Sequence, residues 1–210
     1  MKRNTYTLIF AAITGIVCAA VLTGAGMFTR PYRKANQKAE KVRNIMSVLG
    51  ISYDEDMPAR ELLDRFQNKV DEQEVSGLTV YEYMGEGQDG NHPVAVLFTG
   101  SGVWGPIKGV LALEPDLKTI RGISFYEQEE TPGLGGEIST PAFKEQFIGK
   151  KIMVETDGQE EAGMKVTPPG QASGPREVDG ITGATMTSDR VELMLNQTIK
   201  TIVSEVRGNV

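Results

Sequence analysis

The sequence predicts an α+β domain carried behind a single N-terminal transmembrane helix. Three observations predict it. Residues 4–29 hold no charged side chain. Short apolar runs recur at roughly ten-residue spacing between residues 93 and 127, the pattern of a meandering antiparallel sheet. The chain then ends in an amphipathic stretch over residues 187–206, with Val191, Leu195, Thr198, Ile199, Ile202 and Val206 on one helical face. Strands in a run followed by helices indicate α+β order rather than alternating βαβ units.

Each element follows from local chemistry. A helix needs roughly 20 apolar residues to cross the hydrocarbon core of a bilayer, and residues 4–29 exceed that. The stretch is too long for a signal-peptide core and lacks an A-x-A cleavage pattern. It is apolar on all faces, which a core helix of a soluble domain is not. A retained anchor over residues 1–30 is the expectation. Residues 31–50 continue as a helix, with Val42, Ile45, Met46 and Leu49 at helical spacing and Gly50 as the stop. A second helix is expected over "MPARELLDRFQNKV", residues 57–70. Together they form a helical connecting region, 31–74, ahead of a third region, 75–210.

In that third region Gly77 to Met84 reads as a strand and "GQDGNH" as a turn. "PVAVLFTG", "IKGVLALE" and "KTIRGISFYE" read as further strands. "TPAFKEQFIG" is a short helix with Thr140 as N-cap and Pro141 in its first turn. "KKIMVET" is another strand, and residues 158–174, polar and carrying Gly and Pro, form a surface loop. Sheet flanked by helices is the architecture this order gives.

Composition removes several functions. The net charge is −6, from 22 basic and 28 acidic residues, so no basic surface is offered to nucleic acid. One cysteine, Cys18, and one histidine, His92, exclude a disulfide framework and Cys- or His-rich metal centres. They also leave no ordinary His-based triad. No metal ligands and no catalytic side chain are expected; any chemistry falls to a bound cofactor.

Two stretches could hold one. "EETPGLGGE", Glu129 to Glu137, follows a predicted strand, and its Pro and Gly residues allow a backbone that comes close to a ligand. A plain hairpin connection fits the same residues. "DGITGATMTS", from Asp179, opens the last helix, where unpaired N–H groups and the positive dipole end favour an anion. Gly183 and Ala184 leave the backbone uncovered, and Thr182, Thr185, Thr187 and Ser188 add hydroxyls. This reads as a phosphate cradle without a P-loop lysine, or as an over-supplied helix cap in which Thr187 and Ser188 do the capping.

The same stretches resemble a known family. "DGITGAT" resembles the D-x-x-[ST]-G-A-T signature of covalently flavinylated FMN-binding domains, "YEQEETPGLGGEI" their second signature, and "GSGVWGPIKGVLAL" a third segment. The order and near-complete span resemble the NqrC component of Na⁺-translocating NADH:quinone reductases and the RnfG component of Rnf ferredoxin:NAD⁺ oxidoreductases. The resemblance implies FMN joined through its phosphate to Thr185, by a separate Mg²⁺-dependent FMN transferase that reads Asp179, Gly183 and Ala184. It implies that Thr187 and Ser188 lie near the phosphate. Glu130, Thr131, Gly133, Leu134 and Gly135 would border the isoalloxazine ring, with Trp104 packing beside it or serving the core or the membrane surface.

The resemblance further implies an electron relay within a multi-subunit complex of a bacterial inner membrane, next to a multi-span subunit bearing a second flavin. It places the FMN domain on the extracytoplasmic side. A literal positive-inside count does not agree, because Arg30, Arg33, Lys34, Lys38, Lys41 and Arg43 follow the apolar stretch while only Lys2 and Arg3 precede it. Two other readings stay open: a stand-alone anchored flavoprotein serving an extracytoplasmic reductase, and a non-catalytic anion-binding module.

Overall fold

The computed structural model describes residues 2–85, 92–156 and 159–206. The expected turn at residues 87–92 lies outside them except for His92. The chain divides into two compact units, residues 1–40 and 41–210.

The first unit is helical. Helix α1 spans Lys2–Leu49 and carries Pro31 inside it, where the ring removes one backbone donor from the helical ladder. Leu8, Ile9, Phe10, Ile13, Ile16, Val17, Leu22 and Phe28 all expose their side chains. Its most apolar window has a mean hydropathy of 2.3 and buries nothing against protein. Apolar exposure on every face costs free energy in water and costs none in hydrocarbon. Among the described residues this is one helix long and apolar enough to cross a membrane.

The second unit begins in the last turns of α1. Val42, Ile45, Met46 and Leu49 are buried there, as their spacing predicts. Gly50 N–H bonds to Ser47 O at 3.1 Å and Ile51 N–H to Met46 O at 2.9 Å. That pair of bonds is a Schellman stop, and Ile51 beyond it is buried. Helix α2, Ala59–Lys69, runs straight into β1, Val70–Val75.

β1 opens a five-stranded sheet with β2 Leu78–Tyr83, β3 Val94–Ser101, β4 Pro106–Leu113 and β5 Ile120–Glu127. Strands sit in chain order, every neighbour antiparallel. β1 has no counterpart among the elements expected from the sequence. "VDEQEV" has apolar residues only at its ends, and Asp71, Glu72, Gln73 and Glu74 are exposed. A charged edge strand resists pairing with other chains and also hides its own periodicity.

One face of the sheet carries Val94, Val96, Phe98, Leu111, Ile123 and Phe125 into the main core. The other is smaller: Ser124 donates its hydroxyl to Asn44, and Phe66 of α2 meets Tyr81 edge-on at 5.6 Å. On the core side, Phe98, Phe125, Phe143 and Phe147 form a chain of ring contacts with centroids 5.4–6.1 Å apart. Such pairs add about 0.5–1.5 kcal/mol each beyond area burial. Phe143 lies in α3, Pro141–Lys144, and Phe147 in the 3-10 turn Glu145–Phe147 that follows. Thr140 precedes α3 but makes no cap bond; its hydroxyl donates back to Glu137 O at 2.7 Å.

The stretch expected as a loop, 158–174, contains two short strands. β6 Met153–Thr156 pairs antiparallel with β7 Gln159–Ala162, and β8 Lys165–Thr167 pairs parallel with β9 Glu177–Asp179. β7 is exposed throughout and β8 has three residues, so neither leaves an apolar alternation to read. Helix α4, Thr185–Thr201, closes the domain and passes into a π-helical turn, Ile202–Val206. Val191, Leu195, Thr198, Ile199 and Ile202 are buried as expected. The helix begins at Thr185, two residues ahead of the start inferred from the apolar spacing.

Candidate functional site

Three connections converge on the N-terminus of α4. The first is the β3–β4 hairpin turn, where Gly102 N–H bonds to Gly105 O at 2.8 Å and Val103 and Trp104 form the tip. The second follows β5, running from Glu130 through Gly136. Thr131 O accepts the N–H groups of Leu134 and Gly136 at 3.1 and 2.9 Å. The third is the turn 180–184, which leads into Thr185.

Glu130 ties the first two to the first turn of α4. It is 5% exposed. Its Oε1 accepts the N–H groups of Val103 at 2.8 Å and Trp104 at 3.2 Å, and its Oε2 accepts the Thr187 hydroxyl at 2.7 Å. A buried carboxylate needs such donors, since burying an unpartnered charge costs far more than a neutral group. The start of α4, with no acidic residue in its first turn, adds positive dipole potential. Gly135 permits the junction: a Cβ there would collide with Thr187 Oγ1 and come within 2.7 Å of Glu130 Oε2.

These segments enclose a cavity of about 300 Å³, lined by Val103, Trp104, Glu130, Thr131, Leu134, Gly135, Gly183, Ala184, Thr185, Met186 and Thr187. Such a volume lies at the lower end of small-molecule sites. The rim is apolar and open to solvent. Trp104 is 71% exposed and Met186 63%, with Leu134 and Val103 also exposed. Gly183, at φ +78°, turns the chain into the helix, a conformation L side chains rarely adopt.

The four hydroxyl residues separate clearly. Ala184 occupies the N-cap of α4 and no side chain caps the helix. Thr187 is buried on Glu130. Ser188 is buried and accepts the Ile181 N–H at 3.2 Å, reaching back over the turn instead of capping. Thr182 and Thr185 are exposed. Thr185 lines the cavity at the first residue of the helix, and its hydroxyl has no hydrogen-bond partner among the described residues.

The cavity therefore gathers Trp104, Glu130, Thr131, Leu134, Gly135, Gly183, Ala184, Thr185 and Thr187 from the sequence-derived set. Gly133, Asp179, Thr182 and Ser188 do not line it. Gly133 donates its N–H to Glu137 Oε1 at 3.1 Å. Asp179 accepts the N–H groups of Gln171 and Ala172, both at 2.9 Å. Those bonds, Ala172 first, hold its carboxyl below the usual carboxylate range. Val103 and Met186 were missed as lining residues, though both lie inside the quoted segments. No group of three or more His, Cys, Asp or Glu side chains suited to a metal ion occurs among the described residues.

The donor set suits a phosphate-bearing aromatic ligand: helix-start amides and a hydroxyl at one end, apolar side chains around the opening. Comparison with known proteins agrees. The FMN-binding domain family matches residues 102–200, which contain the whole cavity. The NqrC component of the Na⁺-translocating NADH-quinone reductase of Vibrio anguillarum is 30% identical over 223 residues, covering 89% of this chain and 86% of that protein. Its Yersinia pestis counterpart is 27% identical over 90% of this chain and 86% of its own length. The crystal structure of the Parabacteroides distasonis counterpart superposes with a TM-score of 0.67 at 28% identity, over 83% of this chain and 94% of that one. Shewanella oneidensis NqrC, at 23% identity and a TM-score of 0.64, shares the fold. A relative of 30% identity over almost the full length, together with the FMN-binding match across the cavity, means that the chain belongs to the NqrC family of Na⁺-translocating NADH-quinone reductase components.

Proposed function

We propose that this protein is a membrane-anchored electron-transfer subunit of a Na⁺-translocating NADH-quinone reductase, with FMN bound covalently through its phosphate to Thr185. The observation that carries the proposal is the sorting of hydroxyls at the cavity. Thr187 and Ser188 are buried and committed to hydrogen bonds, whereas Thr185 lines the cavity exposed. An acceptor that a second enzyme must reach has to be exposed, and a phosphate at the first residue of a 17-residue helix is offset by its amides and dipole.

In the attachment step, Thr185 Oγ forms a bond to the flavin-side phosphorus of FAD as the phosphoanhydride bond breaks. AMP leaves, and the hydroxyl proton passes to a base on the transferase. No electrons move in this step. Once bound, the flavin supplies reversible electron transfer, which no side chain here provides. Gly183 and Ala184 place no bulky side chain beside Thr185 and leave the approach to its hydroxyl open. Trp104, Leu134 and Met186, exposed at the rim, would supply apolar contact for the ring. Glu130 holds the Val103–Trp104 backbone and the Thr187 hydroxyl. The apolar segment of α1 anchors the protein, the FMN domain lies on the extracytoplasmic side, and multi-span partner subunits provide the ion pathway, for which one spanning helix is insufficient.

Expression of the full-length chain with and without a flavin transferase tests this. A fluorescent band that survives SDS only when the transferase is present supports covalent FMN; absence of fluorescence in both cases overturns it. Purification from native membranes tests the assembly. Multi-span partners with NADH-quinone activity support the reading. Partners with ferredoxin:NAD⁺ activity, or recovery of the flavinylated chain alone, contradict it.

A further inference from the structure

We propose that Asp179 is a positioning residue for the turn that presents Thr185, acting through the backbone of residues 170–172 rather than by meeting the flavin or its transferase. The inference rests on Thr185 being the flavin acceptor.

The geometry around Asp179 is that of a strap. It is the last residue of β9, and its Oδ1 accepts both the Gln171 and Ala172 N–H groups at 2.9 Å. Its backbone is held by one side chain from both sides: its N–H donates to Gln146 Oε1 at 2.8 Å, and its carbonyl accepts Gln146 Nε2 at 3.3 Å. The next donors are taken in order. Gly180 N–H bonds to Thr167 O at 2.7 Å, Ile181 N–H to Ser188 Oγ at 3.2 Å, and Ala184 N–H to Ile181 O at 3.0 Å. The chain is fixed up to Ile181 and again from Ala184, so Thr185 leaves the turn in one orientation.

Two facts separate this role from direct recognition. Asp179 is absent from the cavity lining. Its Oδ1 is also taken by two amide donors of the chain itself, which favour the ionised form and hold its carboxyl low. Glu177 repeats the device two residues earlier, its Oε2 accepting Ser173 N–H and Gly174 N–H at 3.0 Å each. β9 thus grips residues 171–174 with a carboxylate on alternate positions, which makes Asp179 one half of a structural pair.

Acceptance of N–H bonds survives replacement of a carboxylate by a carboxamide; a charge read by a Mg²⁺-dependent enzyme does not. Full-length Asp179→Asn and Asp179→Ala proteins in detergent would be incubated with transferase, FAD and Mg²⁺. Flavin incorporation would be read by mass, and exchange of the Gln171 and Ala172 amides followed in parallel. Unchanged protection of the buried α4 amides at Leu195 and Ile199 certifies the fold.

The proposal expects Asp179→Asn to stay within about five-fold of the wild-type rate and Asp179→Ala to fall by about ten-fold or more, the size of one lost charge-assisted bond. The two amides should exchange faster in Asp179→Ala. Equal loss in both variants with amide protection intact overturns it and makes the carboxylate charge a recognition element. Wild-type protein that takes no flavin on Thr185 defeats the acceptor reading alone. In that event, faster exchange at Gln171 and Ala172 in Asp179→Ala still supports the strap, and unchanged exchange overturns it.

Discussion

Glu130 and Asp179 perform similar work in two regions of the domain, and their difference separates site from scaffold. Each is a carboxylate accepting two backbone N–H groups through one oxygen. Glu130 is buried beneath the cavity, and its second oxygen takes the Thr187 hydroxyl. Asp179 is half-buried, does not line the cavity, and ties a surface connection to the end of β9. Both lie in motifs that the family resemblance assigns to flavin binding. A motif therefore does not distinguish a residue that lines the cavity from one that ties the chain elsewhere.

The largest expected effect breaks the site while sparing both carboxylates. Thr185→Ala should abolish SDS-stable flavin fluorescence, while Thr182→Ala keeps it. Retained fluorescence in Thr185→Ala would move the acceptor elsewhere and remove the distinction between the exposed hydroxyls and the committed ones.

Glu130→Ala comes next. It leaves the Val103 and Trp104 amides and the Thr187 hydroxyl without their acceptor, a loss of about 3 kcal/mol for bonds to a buried charged group. Urea denaturation measures it. The protein's one tryptophan, Trp104, reports from the same site, and its emission should shift in the folded variant. An equal loss in Asp179→Ala, at a half-exposed position, would erase the contrast between the two regions.

Gly135→Ala should cost about 1–3 kcal/mol as an overpacking change, because its Cβ would meet Thr187 Oγ1 and Glu130 Oε2. Folding experiments that find it neutral would mean that the Glu130 junction yields easily.

The smallest effect sharpens the other side of the comparison. Amide bonds hold Glu177, through Ser173 first, and Asp179, through Ala172 first, below the usual carboxylate range. A depressed folded-state pKa contributes stability that is present above the unfolded value and lost as pH falls through the folded one. Protection of the amides at residues 171–174, taken relative to the intrinsic exchange rate at each pH, should therefore fall as pH drops below about 4, ahead of protection in α4. Simultaneous loss of protection in both would indicate global unfolding instead of local release.

Much of this was legible in the sequence because the determinants are local. The uncharged stretch before Arg30, the apolar face of α4 and the short, regularly spaced apolar runs of β3–β5 are set by neighbouring residues. The motifs also led to Thr185, Gly183 and Trp104, which the structure brings to one cavity. The Glu130–Thr187 bond spans 57 positions and leaves no periodic trace. β1 was masked by its charged exposed residues, and β8 by its length. The over-supply of hydroxyls after Asp179 resolves only in three dimensions, where Ser188 reaches back to Ile181 and Thr187 to Glu130. Neither caps α4.

The proposed role of Thr185 as acceptor rests on its being the exposed hydroxyl at the cavity. Proteolysis of full-length protein from cells containing the transferase, followed by tandem mass spectrometry of the flavin-bearing peptide, tests it most directly. The peptide should carry the mass of FMN less one water on Thr185. The same mass on Thr182, Thr187 or Ser188, or flavin that dissociates on denaturation and leaves the peptide unmodified, would contradict it.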